Sequence, residues 1–454
     1  MGWMKVRNED HAPRIAKVKP IRPATISGTL PLHMASVVFY FQVHQPWRLR
    51  RYSVFDSDPF YFDDTANKQV LLKVADKCYR PATQLILELV KKNKGNFRVS
   101  YALTGTVIDQ LEQWAPDVLD LFRALADSGC CEFVGETYHH SLSFLYSREE
   151  FAEQIDMHTQ RIKGLFGQTP KVFRNTELTY NNDAAWFINQ MKNADGTPRW
   201  LGMLCEGVDR ILGYRSPNFV YRPPNTGDGP IAGRPFGLLL KNYRLSDDIA
   251  FRFSNRGWAE WPLTTDKFVH WVHQINGNGF LCNLFMDYET FGEHQWADTG
   301  IFQFLEDLPA KMFDMYPGEN HFNTVSEALQ QFEPVGTYDV PHMISWADTE
   351  RDLSAWLGNA MQSNALQETY KLETPIKRAL ADAKKRGDNA RAEQLGFLLG
   401  DWRKMTTSDH FYYMCTKWFA DGDVHKYFNP YDSPYDSYIN FMNVLDNART
   451  RLES

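Results

Sequence analysis

Two carboxylates stand at the ends of strand-like runs. Lys171-Val172-Phe173-Arg174-Asn175-Thr176 leads to Glu177, and Phe280-Leu281-Cys282-Asn283-Leu284-Phe285-Met286 leads to Asp287. A carboxylate at the exit of a buried strand is costly unless it is paired, hydrated or used. Two such exits in one barrel-like domain can bring two carboxyl groups together across a substrate. Glycoside hydrolysis requires that arrangement, with one ionised carboxylate as nucleophile and one carboxyl as acid, then base. Arg174 is a nearby cation suited to keeping Glu177 ionised; a strand-end ion pair reads equally well. Glu289 points the same way as Asp287 if the strand continues, because side chains alternate with period two. Either of the two acids also suits the cap of a following helix.

Three further stretches have the right residue types. His44-Gln45-Pro46-Trp47 places two polar side chains and an aromatic at a strand exit, a plausible sugar-binding wall, although a lone histidine is more often a satisfied structural group. Gly135-Glu136-Thr137-Tyr138-His139-His140 offers groups for sugar hydroxyls. Adjacent histidines rarely both reach one ion and no H-x-x-x-H spacing accompanies them, so no metal is expected. Trp346-Ala347-Asp348 and the run Asp352 to Asn359, with Trp356, open a helical region where a tryptophan serves as packing or as a lid. No G-x-S-x-G, P-loop or G-x-G-x-x-G fingerprint is present.

These residues need elements to position them. Strand-like segments at Ser36–Val43, Phe97–Leu103, Cys130–Val134, Val172–Asn175, Trp200–Leu204, Gly237–Leu240 and Phe280–Phe285 alternate with helical stretches. One helix is expected from Asn67 to Lys92, and another opens on the capping-box pattern Ser147-Arg148-Glu149-Glu150. Repeated strand–helix units imply a parallel sheet, with enough strands to close into a barrel whose site lies at the carboxyl ends of its strands. His44, Glu136, Glu177 and Asp287 all occupy such ends. Glu350–Lys371, Thr374–Lys404 and Ser408–Ala420 read as a helical carboxyl-terminal region, and Asp421–Ser437 as irregular. The division is an amino-terminal arm (1–34), a barrel (35–320) and a helical domain over the barrel mouth (321–454).

Composition narrows the function. With 56 acidic against 49 basic side chains the chain carries a net charge of −7, unsuited to phosphate neutralisation on nucleic acid or to an anionic membrane surface. No stretch suits a membrane span. The 13 Trp and 21 Tyr suit a groove that stacks on sugar rings. Residues 1–34 lack the apolar core of a secretion signal. The six cysteines form no C-x-x-C pair and suit reduced thiols in a cytoplasmic protein.

Taken together, these stretches resemble glycoside hydrolase family 57, which is marked by five short regions. His44-Gln45-Pro46, Gly135 to His139, Phe173 to Leu178, Asp287-Tyr288-Glu289-Thr290-Phe291-Gly292 and Arg351 to Asn359 resemble them in order. Within the family the chain is most similar to the intracellular α-amylase group, including Thr407-Ser408-Asp409-His410-Phe411-Tyr412-Tyr413. The resemblance implies an incomplete (β/α)7 barrel with a helical bundle at its mouth and retaining cleavage of α-1,4-glucosidic bonds without a cofactor. It implies Glu177 as nucleophile and Asp287 as acid/base, with His44, Glu136 and Trp356 holding the sugar; Gln45, Trp47, His139, Arg174 and Glu289 are the further candidate substrate-binding residues. The expected partner is an α-glucan or maltooligosaccharide. A 4-α-glucanotransferase or branching enzyme with the same residues is the nearest alternative; a metal-dependent carbohydrate deacetylase and a non-catalytic glucan-binding protein are others.

Overall fold

The computed structural model describes residues 34–417 and 429–453. The expected arm, up to residue 33, and part of the expected irregular stretch lie outside the described residues.

Nine strands are described: β1 (Ser36–Val43), β2 (Val99–Leu103), β3 (Cys131–Phe133), β4 (Val172–Arg174), β5 (Gly202–Glu206), β6 (Val220–Tyr221), β7 (Gly237–Lys241), β8 (Leu281–Asp287) and β9 (His321–Phe322). They form two arcs, β3-β2-β1-β8 and β4-β5-β7-β6, with β9 beside β1. Only β6 runs antiparallel to its neighbour. The arcs meet at two seams. At one, Gly135 N–H donates to Val172 O at 2.9 Å and Arg174 N–H to Gly135 O at 2.8 Å. At the other, Asn242 N–H donates to Asn283 O at 2.9 Å and the Asn283 amide to Leu240 O at 2.8 Å. Seven of the parallel strands, β1–β5, β7 and β8, thus close into the expected incomplete barrel.

Alternation along each strand sorts its residues. On β1, Val37, Phe39, Phe41 and Val43 join the outer core against the helices, while Val38 and Tyr40 fill the barrel with Ala102, Val134, Val172, Leu204, Leu239, Leu281 and Phe285. Two residues further along, the same inward rows end in Gln42, Thr104, Glu136, Arg174, Glu206, Lys241 and Asp287. The barrel is apolar at its base and polar at its mouth, and this polar layer is the floor of the site.

Helix 325–331 plugs the base. Thr324 and Glu327 form its capping box, worth about 1 kcal/mol, and Val325, Ala328 and Leu329 pack into the barrel interior. β9 pairs with β1 and this helix packs at the barrel base, and the short helix Ser354–Leu357 opens the helical stretches that follow. The stretch expected as one helix from Thr374 is two, Glu373–Arg386 and Asn389–Met405, broken where Gly387 adopts φ 71 and Asp388 caps the second. The expected aromatic helix from Ser408 ends at Tyr412, and a helix over Pro434–Glu453 follows. At Ser147 the capping box is only half formed. The Ser147 hydroxyl accepts from Glu150 N–H, but the Glu150 carboxylate turns to Arg403 (2.8 Å) and Lys377 (2.9 Å) of the helical region.

Candidate active site

After β4 the backbone makes a turn in which both Glu177 (φ 57, ψ 26) and Leu178 (φ 51) are left-handed. Non-glycine residues hold this conformation only when their surroundings over-determine it, at roughly 1–3 kcal/mol each. The surroundings do so here. The Asn175 side chain accepts from Thr176 N–H at 3.0 Å and donates to Thr179 O at 3.1 Å, Thr176 Oγ1 meets Thr137 Oγ1 at 2.9 Å, and Trp346 N–H reaches Glu177 O at 3.2 Å. The turn presents Glu177 at the mouth with 19% of its side chain exposed, enough for a substrate to reach it.

Both carboxylate oxygens are held. Oε1 lies 3.2 Å from His140 Nε2 and 3.2 Å from Ser408 Oγ, and Oε2 accepts from the Trp346 indole N–H at 2.8 Å. The other nitrogen of His140 faces Glu136 Oε2 at 3.3 Å, and the Gln42 amide donates to both Glu136 oxygens at 3.2 and 3.3 Å. A continuous polar row therefore runs Tyr40–Gln42–Glu136–His140–Glu177. Arg174 is fully buried, with Nη1 3.8 Å from Glu136 and its guanidinium 5.0 Å above the Trp346 ring. Lys241 approaches the same ring at 5.5 Å and lies 3.8 Å from Glu206 Oε2 and 3.1 Å from Asp247. The indole that holds Glu177 thus has two cations within about 6 Å of its ring centroid.

The protonation states follow from this arrangement. Burial alone disfavours charge on His140, but its bonds to Glu136 and Glu177 outweigh burial and raise it to about 9. Burial pushes Glu177 up, but hydrogen bonding to His140 and the charges of His140 and Arg174 bring it below its ordinary value. Glu136 is lowered by the same balance. Asp287 goes the other way: burial, then the charge of Glu177, raise it to about 6 against the opposing pull of Arg174, Lys241 and His140. Glu206 is pushed up to about 7 by burial, opposed by Lys241. His44, stacked 4.1 Å from the His140 ring, is lowered by burial and by that neighbouring cation. Its Nε2 lies 2.9 Å from Asp409 Oδ2 and its Nδ1 2.9 Å from Thr104 Oγ1.

The residues singled out in the sequence divide into three groups. Glu177, Asp287, Glu136, Arg174 and His44 come together at the mouth. Gln45 and Glu289 lie at its rim, where Glu289 is bonded by the Tyr79 hydroxyl, feels the charge of Asp287 and is pushed up to about 8 by burial first. Gln45 reaches Tyr79 Oη at 3.5 Å. His139, Trp47 and Trp356 are placed elsewhere. The backbone turns between His139 and His140 (φ 51), so His139 faces the Arg403–Lys404 side while His140 enters the site. Trp47 packs edge-on against Trp114 with Lys404 over its ring. Trp356 is 1% exposed in the core of the helical region.

His140, Trp346, Ser408, Asp409, Glu206 and Lys241 are site neighbours to which pattern reading gave no individual role, although the first four lie in stretches it singled out. The first four come from loops and helices with no periodic signal. Alternation would have found the last two if β5 and β7 had been continued past Leu204 and Leu240. Among the described residues no group of three or more His, Cys, Asp or Glu side chains converges as for a metal ion.

Glu177, in the turn after β4, and Asp287, at the end of β8, place two carboxyl groups at one barrel mouth, the kind of pair that glycoside hydrolysis uses. A family model described as glycosyl hydrolase family 57 matches residues 38–341. A protein of Methanocaldococcus jannaschii named "Putative alpha-amylase" is 41% identical over 417 residues, covering 90% of this chain and 83% of that one. The chain belongs to glycoside hydrolase family 57. Solved structures share the fold. A branching enzyme of Thermococcus kodakaraensis aligns with TM-score 0.62 at 13% identity, covering 92% of this chain and 89% of that one. A 4-alpha-glucanotransferase of Thermococcus litoralis aligns with TM-score 0.54 at 16% identity, covering 90% of this chain. The chain spans 59% of the length of that transferase.

Proposed function

We propose that the protein is a retaining hydrolase of α-1,4-glucosidic bonds in starch- or glycogen-type glucans and maltooligosaccharides, acting through a glucosyl-enzyme. Glu177 attacks the anomeric carbon. Asp287 gives its proton to the leaving oxygen, then takes one from the incoming water. His44, Glu136 and Arg174 line the cleavage point. Glu289 holds a sugar hydroxyl at the rim.

The observation that carries this reading is the placement of two carboxyls at one barrel mouth, Glu177 held by His140, Ser408 and Trp346 and Asp287 at the end of β8. His140 and Arg174 keep Glu177 ionised, and the Glu177 charge in turn helps keep a proton on Asp287 near pH 6. A nucleophile and an acid need those two states at one pH. The α-glucan substrate rests on the relative named as an amylase, and on the T. litoralis structure named as a glucanotransferase. All six thiols are free and buried, and no described helix is long and apolar enough to cross a membrane, which suits work in the cytoplasm.

The test is product analysis after incubation with maltoheptaose. Shorter products alone are expected. Products both longer and shorter would replace the hydrolase by a transferase, in which a glucan hydroxyl takes the place of water. Unchanged maltoheptaose would contradict the substrate class.

A further inference from the structure

The first helical stretch of the chain is interrupted where it faces the site. Residues Asp64–Val74 and Arg80–Lys92 are α-helical, but Ala75–Tyr79 between them is a π turn, with Arg80 N–H bonded to Ala75 O five residues back. The cause is local. Pro81 has no N–H, and its ring crowds the carbonyl four residues earlier, that of Lys77. The helix accommodates one extra residue in that turn, a device that recurs at functional sites.

The bulge is the surface on which the Asp287 turn rests. Cys78 Sγ donates to Tyr288 O at 3.1 Å, and Gly292 (φ 116) passes so close to Lys77 O that any Cβ would overlap it. The Tyr79 ring lies parallel to Tyr288, centroids 6.2 Å apart, and Thr83 Oγ1 meets the Tyr288 hydroxyl at 2.9 Å. Lys73 and Lys77 both pair with Glu293. From the same frame the Tyr79 hydroxyl donates to Glu289 Oε1, the carboxyl beside Asp287.

We propose that Tyr79 is a positioning residue of the active site, its hydroxyl delivered by the π turn to fix the Glu289 carboxyl at the rim beside Asp287, where that carboxyl holds a sugar hydroxyl. The inference rests on the role given to Glu289 in the proposed function. Tyr79 touches no substrate and acts through Glu289. Burial and the Asp287 charge hold Glu289 up to about 8, so at neutral pH it is mostly protonated and Tyr79 sets its direction.

The test is a double-mutant cycle with Tyr79→Phe, Glu289→Ala and the pair, measured as KM and kcat on maltoheptaose. Tyr79→Phe keeps the ring in its packing and removes the hydroxyl, which donates to Glu289 and meets the Gln45 amide at 3.5 Å. KM is expected to rise about tenfold in Tyr79→Phe, the value of one buried hydrogen bond, with kcat changed less than about threefold. In the Glu289→Ala background the same substitution is expected to change nothing further. Purely structural support would instead lower stability and add to the Glu289→Ala loss; additive losses, or an unchanged KM in Tyr79→Phe, overturn the proposal. Calorimetric titration of maltoheptaose onto the cycle rebuilt on Asp287→Asn reads the same coupling without turnover, and absence of coupling there is equally contrary. Glu177→Gln, assayed alongside, separates the two claims. Its normal turnover would end the nucleophile assignment but leave the Tyr79–Glu289 coupling to be read from its own four enzymes.

Discussion

His140 bridges Glu136 and Glu177, its Nδ1 3.3 Å from the one and its Nε2 3.2 Å from the other. Each carboxylate stabilises the imidazolium, and the imidazolium keeps each ionised inside a buried site. Removing the centre of this triad should be felt at Glu177 first. His140→Asn keeps a donor toward Glu136 but withdraws the charge and the donor facing Glu177. The carboxylate then loses the two influences that most lower its pKa, so the acid limb of kcat/KM should move to higher pH. Rate profiles from pH 3 to 7 check this, with activity at the optimum expected to fall roughly 10²-fold.

In the proposed mechanism Asp287 is the acid and must be protonated, and burial and the Glu177 charge raise its carboxyl to about 6. Activity should therefore fall as pH rises through about 6, the basic limb of the free-enzyme profile. Because the Glu177 charge helps raise Asp287, Glu177→Gln should lower the Asp287 pKa. Carbon-13 NMR titration of the labelled carboxyl in the two proteins measures the difference; an Asp287 pKa that stays or rises contradicts the coupling.

Lys241 pulls both Glu206 and Asp287 down. Lys241→Met removes a buried cation while keeping most of its volume. The basic limb should move up, and Glu206, already near 7, should remain protonated rather than become an unpaired buried charge. A basic limb moved to lower pH would show that Lys241 acts on Asp287 by some other route.

His140 also links the site to stability. Its folded pKa of about 9 lies above the ordinary 6.5, so its contribution is complete below 6.5 and is lost as pH rises through about 9. The linkage amounts to on the order of 3 kcal/mol. Denaturant titrations at pH 7 and pH 9 should show wild type losing more stability over that interval than His140→Asn.

Much of this was legible in the residues. The strand runs are near-continuous apolar stretches because both faces of a parallel barrel are buried, and their exits marked Glu136, Glu177 and Asp287. The expected strand ends at Leu204 and Leu240 were short by two residues and one. Glu206 and Lys241 are polar and look like loop, yet they are tolerated because they face each other across adjacent strands in register. Trp356, expected against the sugar, is packed in the helical region, and the tryptophan that bonds Glu177 is Trp346. Both lie in aromatic-containing stretches, and only the packing of the chain after the barrel base decides which one turns inward. His139 and His140 could not be ranked from sequence, since a left-handed residue at His140 decides which ring enters the site.

The most direct test of Glu177 as nucleophile is mass spectrometry of the Asp287→Asn variant incubated with α-maltosyl fluoride. Fluoride departs without an acid, and the missing base slows release of the sugar. The account predicts a maltosyl adduct that maps to the peptide carrying Glu177; an adduct on another residue, or none while fluoride is still released, would contradict it.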